Sequence, residues 1–277
     1  MKSGLKQKKG YDYIVYIFMI ILTILFVFPL YWIITGSFKD AAAINAAVPE
    51  WFPKNPTMGN YVKLMQRPAF LWLFNAVFIA VMSMVLTCIT AAMAGYALAK
   101  KRFWGQKTLF TLLICAMALP KQVVLVPLLK EMSFLGLHDN MWAVILPTVG
   151  WPFGIFLLKQ FSEGIPTEML EAVRIDGAGE IQTFVTIVLP MIKPGIGALA
   201  IFTFISTWND YFLQLIMLNS SKVLTISLGI AKLQAENGND FGLIMAGAAL
   251  GAVPIVAIFI MFQKYFTQGI TMGAVKG

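Results

Sequence analysis

Few residues in this 277-residue chain carry the chemistry of an enzyme, and those few stand apart from one another. His138 is the single histidine, and one imidazole in a short loop holds no metal by itself. Cys88 and Cys115 lie inside apolar runs without C-x-x-C spacing, so they read as core thiols rather than zinc ligands or a disulfide framework. The run Gly195-Ile-Gly197-Ala-Leu-Ala200 mimics a dinucleotide fingerprint in letters alone, because it opens an apolar stretch with no strand before it; it reads as helix packing. No G-x-S-x-G elbow and no Walker A motif occurs, so any ATP hydrolysis belongs to another chain.

Two charges inside apolar runs need an account, since an ionised side chain at mid-bilayer costs roughly 2.5–3.5 kcal/mol on insertion scales. Lys121 and Asp210 fall at similar depth when counted at about 1.5 Å per residue from their helix ends, so they are expected to pair. One reading places Lys121, Gln122, Trp208, Asn209 and Asp210 beside a path along which a solute's hydroxyls meet hydrogen-bonding groups and an aromatic face. The other reading is a structural ion pair or a snorkelling lysine. The residues leave both open.

The most polar segment is EGIPTEMLEAVRIDGAGEIQTFVTIVLPMIKPG, which sits between two apolar runs. Pro166 and Thr167 with Glu168 and Glu171 mark a helix start, and the helix is expected to run to Ile175. Asp176-Gly177-Ala178-Gly179 supplies a turn, with Asp176 expected to open a second helix from Glu180 to Pro190. Met169, Leu170, Val173, Phe184 and Ile187 are the face expected to be buried; Glu171, Arg174 and Asp176 are the face left to solvent.

Elements able to position these groups must be apolar helices. Hydrophobic residues make up 59% of the chain and charged residues 12%, with mean hydropathy +0.78, where a soluble domain carries about a quarter charged residues. Six runs are long enough to cross a bilayer: 13–35, 71–100, 108–129, 141–161, 194–218 and 241–266. With the N-terminus cytoplasmic, 13 Lys and Arg fall inside and seven outside, Lys121 being intramembrane, so the positive-inside rule puts both termini in the cytoplasm. The formal charge of +8 is thus distributed between spans and forms no nucleic-acid patch. Pro49, Pro53, Pro56 and Pro68 make residues 39–70 a separate outer cap. Pro120, Pro127, Pro147 and Pro152 interrupt the third and fourth runs, while Gly150/Gly154 and Gly247/Gly251 mark close helix contacts.

Glu171-Ala172-Val173 followed by Asp176-Gly177-Ala178, with Leu189-Pro190 and Pro194 downstream, resembles the EAA loop of binding-protein-dependent ABC importer permeases. Trp51-Phe52-Pro53 with Asn60-Tyr61, Thr207-Trp208-Asn209-Asp210, and the glycine-bearing tail are similar to the second permease subunit of carbohydrate importers, the type found in the maltose system. Val173 departs from the alanine that motif commonly carries. The resemblance implies an all-α polytopic membrane protein with six transmembrane helices: a cytoplasmic N-terminus over 1–12, a permease domain over 13–266 with a coupling loop at 162–193, and a cytoplasmic tail over 267–277.

It further implies that Glu171, Ala172, Arg174, Asp176, Gly177 and Ala178 couple to an ATPase, and that Gln268, Gly269 and Gly273 reach the ATPase pair. The implied function is transport without catalysis in a bacterial cell membrane. The expected partners are a second permease forming a heterodimer, two cytoplasmic ATPase subunits that hold ATP and magnesium, and an extracellular sugar-binding protein. No cofactor or metal is expected on this chain. The likeness leans towards oligosaccharides of the raffinose or multiple-sugar type; a polyol or glycerol phosphate permease shares the architecture, and an ion-coupled secondary transporter is the rival of another class.

Overall fold

The computed structural model describes the backbone of residues 9–238 and 240–274, and the side chains of 12–236, 238 and 240–263. Helices in chain order are α1 Lys9–Ser37, α2 Ala41–Ile44, α3 Gly59–Met65, α4 Ala69–Lys100, α5 Gln106–Met117 and α6 Lys121–Phe134. They continue with α7 Trp142–Val149, α8 Phe153–Glu163, α9 Thr167–Ile175, α10 Glu180–Thr183, α11 Leu189–Met191, α12 Lys193–Trp208, α13 Tyr211–Met217, α14 Ile226–Asn237 and α15 Phe241–Ala274. A π-helical turn, Phe184–Val188, joins α10 to α11. Pro190 has no N–H to return to the preceding turn, and the Leu189 N–H instead reaches Phe184 O, five residues back.

Among the described residues, four segments are long and apolar enough to cross a membrane: Asp12–Ser37, Ala69–Lys100, Trp142–Glu163 and Phe241–Gln263. Two bent pairs, α5 with α6 at 107° and Glu180–Met191 with α12 at 75°, bring the number to six if each pair is one span. The third apolar run is therefore not one straight rod. Pro120 stands at its break with φ −60° and ψ 131°, an extended conformation outside any helix, and Lys121 starts the next helix. The fifth run also divides, a break the sequence reading did not foresee. There α12 stops at Trp208 and the Asp210 carboxylate accepts the Leu213 N–H at 3.4 Å, capping a new helix. At the C-terminal end, α15 continues without interruption from Phe241 through residues 267–274.

The chain divides into two compact units, Met1–Ala69 with Ile230–Ala252, and Phe70–Gly229 with Val253–Gly277. In the first, the segment 39–70 is sewn to α1 by the residues that look like a motif in the sequence. Tyr31 Oη donates to Trp51 O at 2.6 Å, and the Trp51 ring lies 6.0 Å from Phe28 and 6.2 Å from Trp32. Buried Asn60 donates to Ser37 O and Lys39 O at 2.9 and 2.8 Å, so its amide satisfies the carbonyls that the end of α1 leaves open. Lys39, 3% exposed, donates to Glu50 O and stands 4.3 Å over the Trp32 ring. Lys63 pairs with Asp240 at 2.9 Å.

In the second unit, α4, α8 and α12 meet around Ala91, Ala92, Tyr96, Leu158 and Leu199, and the same core takes in Leu170, Val188 and Ile192 from the polar segment. Small residues set the spacing. A Cβ on Gly95 would come within 2.7 Å of Lys159 N, one on Gly154 within 3.1 Å of Ala91 Cβ, and one on Gly195 within 2.6 Å of the Phe161 ring. Gly150 differs: only carbonyls of its own helix lie near it, at 3.6 Å, so it is not the close contact its spacing from Gly154 suggests.

Candidate functional site

The polar segment folds as a helix, a tight turn and a second helix. α9 begins after Pro166, whose fixed φ suits a helix start. It ends in a Schellman cap: the Gly177 N–H donates to Arg174 O at 3.0 Å and the Ala178 N–H to Val173 O at 3.1 Å, with Gly177 at φ +82°. Glycine holds that left-handed conformation without the Cβ penalty. Asp176 is consequently the C-cap of α9, and the expectation that it opens the second helix is corrected: Gly179 is the N-cap of α10.

Leu170 carries this hairpin on the core at 4% exposure, with Val173, Phe184 and Ile187 half-buried beside it; Met169, expected inside, is exposed. Glu171, Ala172, Arg174, Asp176 and Gly177 all face solvent, and Ala178 is half-buried. Two large apolar side chains at the turn are also left outside, Ile175 at 86% and Ile181 at 82% exposure.

Electrostatics fix the hairpin to its unit through Arg174, one of the expected coupling residues, through Lys100 and Lys101 at the end of α4, and through Glu180, to which the sequence assigned no role. Arg174 Nη2 pairs with Glu180 at 3.0 Å across the turn, and Lys101 pairs with the other oxygen of Glu180. Lys100 Nζ donates to Ile165 O at 2.6 Å and Glu163 O at 3.1 Å, placing a cation at the carbonyl end of α8. The Lys101 hydrogen bond holds the Glu180 carboxyl below the ordinary carboxylate range. Lys100 and Lys101 thus join the end of α4 to the loop.

Of the five residues grouped at the intramembrane charges, the structure brings two together. Lys121 Nζ stands 3.6 Å from Asp210 Oδ2, as the depth count expects. Trp208 does not join them: it is 5% exposed and stacks on Phe204 at 5.7 Å. Asn209 donates back to Ile205 O, and Gln122 projects to the exposed side of α6. The aromatic partner is instead Trp151, whose ring centroid lies 5.2 Å from Lys121 Nζ. Its position in the Gly150-Trp151-Pro152 break between α7 and α8, 30 residues from Lys121, gave no periodic signal. Gln268, Gly269 and Gly273 are described only as backbone of α15, so their expected contact with the ATPase pair lies outside the described residues. Among the described residues, no three His, Cys, Asp or Glu gather as metal ligands do.

Residues 89–272 match the family described as "Binding-protein-dependent transport system inner membrane component". The chain is 32% identical over 268 residues to the arabinooligosaccharides transport system permease protein AraQ of Bacillus subtilis, covering 94% of each chain. It is 33% identical to the melibiose/raffinose/stachyose import permease protein MelC of the same organism, covering 90% of this chain and 91% of that one. Among solved structures it resembles a chain of a bacterial ABC transporter involved in the import of the acidic polysaccharide alginate, at TM-score 0.84 and 20% identity, over 96% of this chain and 100% of that one. The hairpin with its capped glycine, the bent spans and the apolar helices are therefore parts of a multi-pass membrane permease, and the chain belongs to the family of binding-protein-dependent transport system inner membrane components.

Proposed function

We propose that this chain is one of two permease subunits of an ATP-driven oligosaccharide importer. The relatives at 32–33% identity are named for arabino-oligosaccharides and for melibiose, raffinose and stachyose, which supports an oligosaccharide substrate over a polyol or a glycerol phosphate. A phosphate group would favour several basic residues near the path, and Lys121 is a single one already paired with Asp210. In this reading the second permease completes the path, an external binding protein delivers the sugar, and two cytoplasmic ATPase subunits hold ATP and magnesium. Both termini then lie in the cytoplasm of a bacterial cell, in keeping with the basic cluster Lys100–Lys101–Arg102 beside the end of α4.

The observation that carries the proposal is the exposed tip of the hairpin. Ile175 and Ile181 stand in solvent on either side of the Gly177 turn, beside Glu171 and Asp176, while Leu170 roots the same hairpin among α4, α8 and α12. A tip apolar enough to be buried by a partner and stiffly connected to three helices transmits force. ATPase closure would press on the tip, Leu170, Val188 and Ile192 would carry the displacement into the core, and the path would change its open side.

Cysteines placed at Ile175 and Ile181 should crosslink to a co-purified ATPase subunit in stoichiometric yield, in a preparation that takes up oligosaccharide only with ATP. Uptake that persists while neither position ever captures an ATPase would end this reading. Cysteines in the 100–107 turn should resist a membrane-impermeant thiol reagent in intact cells; labelling there would reverse the orientation.

A further inference from the structure

Between α4 and α5 the chain turns through Lys-Lys-Arg-Phe-Trp-Gly-Gln-Lys, residues 100–107, and no Asp or Glu occurs anywhere from 51 to 130. Three side chains of this turn hold it to the protein: Lys100 on the carbonyls at the end of α8, Lys101 on Glu180, and Gln106, whose Nε2 donates to Leu98 O at 2.7 Å. Gly105, at φ +82°, reverses the backbone and opens α5. The rest faces outward. Arg102 and Lys107 are exposed and form no ion pair with any described residue; Trp104 is 100% exposed and its neighbour Phe103 44%.

We propose that this turn is a docking site for the headgroup of an anionic phospholipid, with Arg102 and Lys107 taking the phosphodiester and Trp104 seated beside it at headgroup depth. Such a site is independent of the oligosaccharide-importer reading, because nothing in it depends on what the path carries.

Place and composition select a lipid over other anions. The turn joins the end of an apolar helix long enough to cross a membrane, Ala69–Lys100, to the start of α5, whose Leu109 and Leu112 lie one turn apart and are left outside at 46% and 62% exposure. Cations, indole and apolar helix surface therefore follow one another in the order in which a phospholipid presents phosphate, glycerol ester and acyl chain. A soluble phosphate would use only the first of these. An indole standing wholly in water gains nothing there, whereas at the bilayer edge its ring meets apolar matter while its N–H stays wet.

Charge points the same way. Glu180 answers Lys101, but no carboxylate answers Arg102 or Lys107, and a phosphodiester supplies the missing anion. Arginine offers it a fork of parallel donors and lysine a compact point charge. Because Lys100, Lys101 and Gln106 already fix the turn, little ordering is left to be done when the lipid arrives.

The experiment uses the full chain, purified with its co-expressed subunits, in phosphatidylcholine nanodiscs. In a background lacking Cys88 and Cys115, a dansyl reporter on Thr108→Cys is quenched by a brominated lipid added in rising proportion. Brominated phosphatidylglycerol should quench at a far lower proportion than brominated phosphatidylcholine. Arg102→Gln with Lys107→Gln should weaken phosphatidylglycerol binding about 30-fold, two basic contacts at about 1 kcal/mol each. Arg102→Lys with Lys107→Arg should keep the preference, which separates lost charge from lost assembly. Equal quenching by the two lipids in wild type, or a neutralised double variant that keeps the preference, would overturn the site. Relief of quenching by inorganic phosphate or glycerol phosphate would make it a soluble-anion site instead, and a Trp104→Cys crosslink to a co-purified subunit would give the turn to a protein partner; either result also overturns the proposal.

Discussion

The Asp139 carboxylate accepts the backbone N–H of Ser220 at 2.9 Å, 81 positions further along the chain, and that of Asn219 at 2.8 Å. Asp139 also sits at φ +59° and returns its own N–H to Met217 O at 3.0 Å, so one residue clips the loop after α6 to the end of α13. Asparagine keeps the oxygen and tolerates the left-handed backbone, whereas alanine loses the acceptor and bears about 1–2 kcal/mol of backbone strain. Asp139→Ala should therefore melt well below wild type in detergent, with Asp139→Asn between them. Equal melting of all three would show the clip to be idle.

Those same N–H groups, Ser220's first, hold the Asp139 carboxyl below its ordinary value of 3.8. A depressed folded value means the contribution is full above the unfolded value and fades as pH falls through the folded one. Thermal stability of wild type relative to Asp139→Asn should accordingly be constant from pH 8 to about 5 and narrow below about pH 4. A gap that widens on acidification would contradict the sign.

At Gly177 a substitution meets open space, so any effect must come from the backbone: a Cβ there has nothing within 4 Å, yet φ is +82°. Gly177→Ala should cost about 1–2 kcal/mol locally, reducing uptake more than overall melting, and Gly177→Asn should retain more uptake than Gly177→Ala. The two variants transporting alike would locate the importance of this glycine in contact with a partner instead.

The Lys101–Glu180 pair is partly solvated, at 28% and 60% side-chain exposure, so removing it should change stability by less than about 1 kcal/mol. Its mechanical role is a separate matter. Lys101→Met and Glu180→Gln should each lower uptake, and the double variant should be no worse than the poorer single one. Strict additivity would mean that the two side chains act independently.

Gly95 and Gly150 offer a matched pair. Alanine at Gly95 would drive its Cβ against the backbone of Leu158 and Lys159, which has no rotamer to yield, and should cost about 1–3 kcal/mol. Alanine at Gly150 meets ordinary van der Waals distances and should be close to neutral. A melting comparison in one detergent decides it.

Long apolar runs and the Gly177 turn were legible because each is written in consecutive residues. Hydropathy alone sufficed for α1, α4 and α15, and a glycine after a short amphipathic run carries its cap with it. The division of the fifth run at Asp210 was not legible, since a carboxylate reaching forward to Leu213 N–H resembles any intramembrane charge until the helix is seen to stop. Depth counting found the Lys121–Asp210 pair but chose Trp208 as its aromatic companion. Trp208 turns inward against Phe204, and Trp151, on another helix pair, takes the place. Lys101 with Glu180 was likewise hidden, because a contact across 79 residues leaves no trace in local spacing.

The composition of the first unit fixes when it can be completed during synthesis. Its members, Met1–Ala69 and Ile230–Ala252, are separated by the roughly 160 residues of 70–229, so Asn60 and Lys63 emerge long before Gly242 and Asp240 exist to meet them. At about 5–20 residues per second, the ribosome leaves α1 and its cap waiting about 8–30 s for those counterparts. Throughout that interval α1 and its cap are orphans in the insertion machinery, and truncations ending before Ile230 should deliver them to quality-control proteolysis.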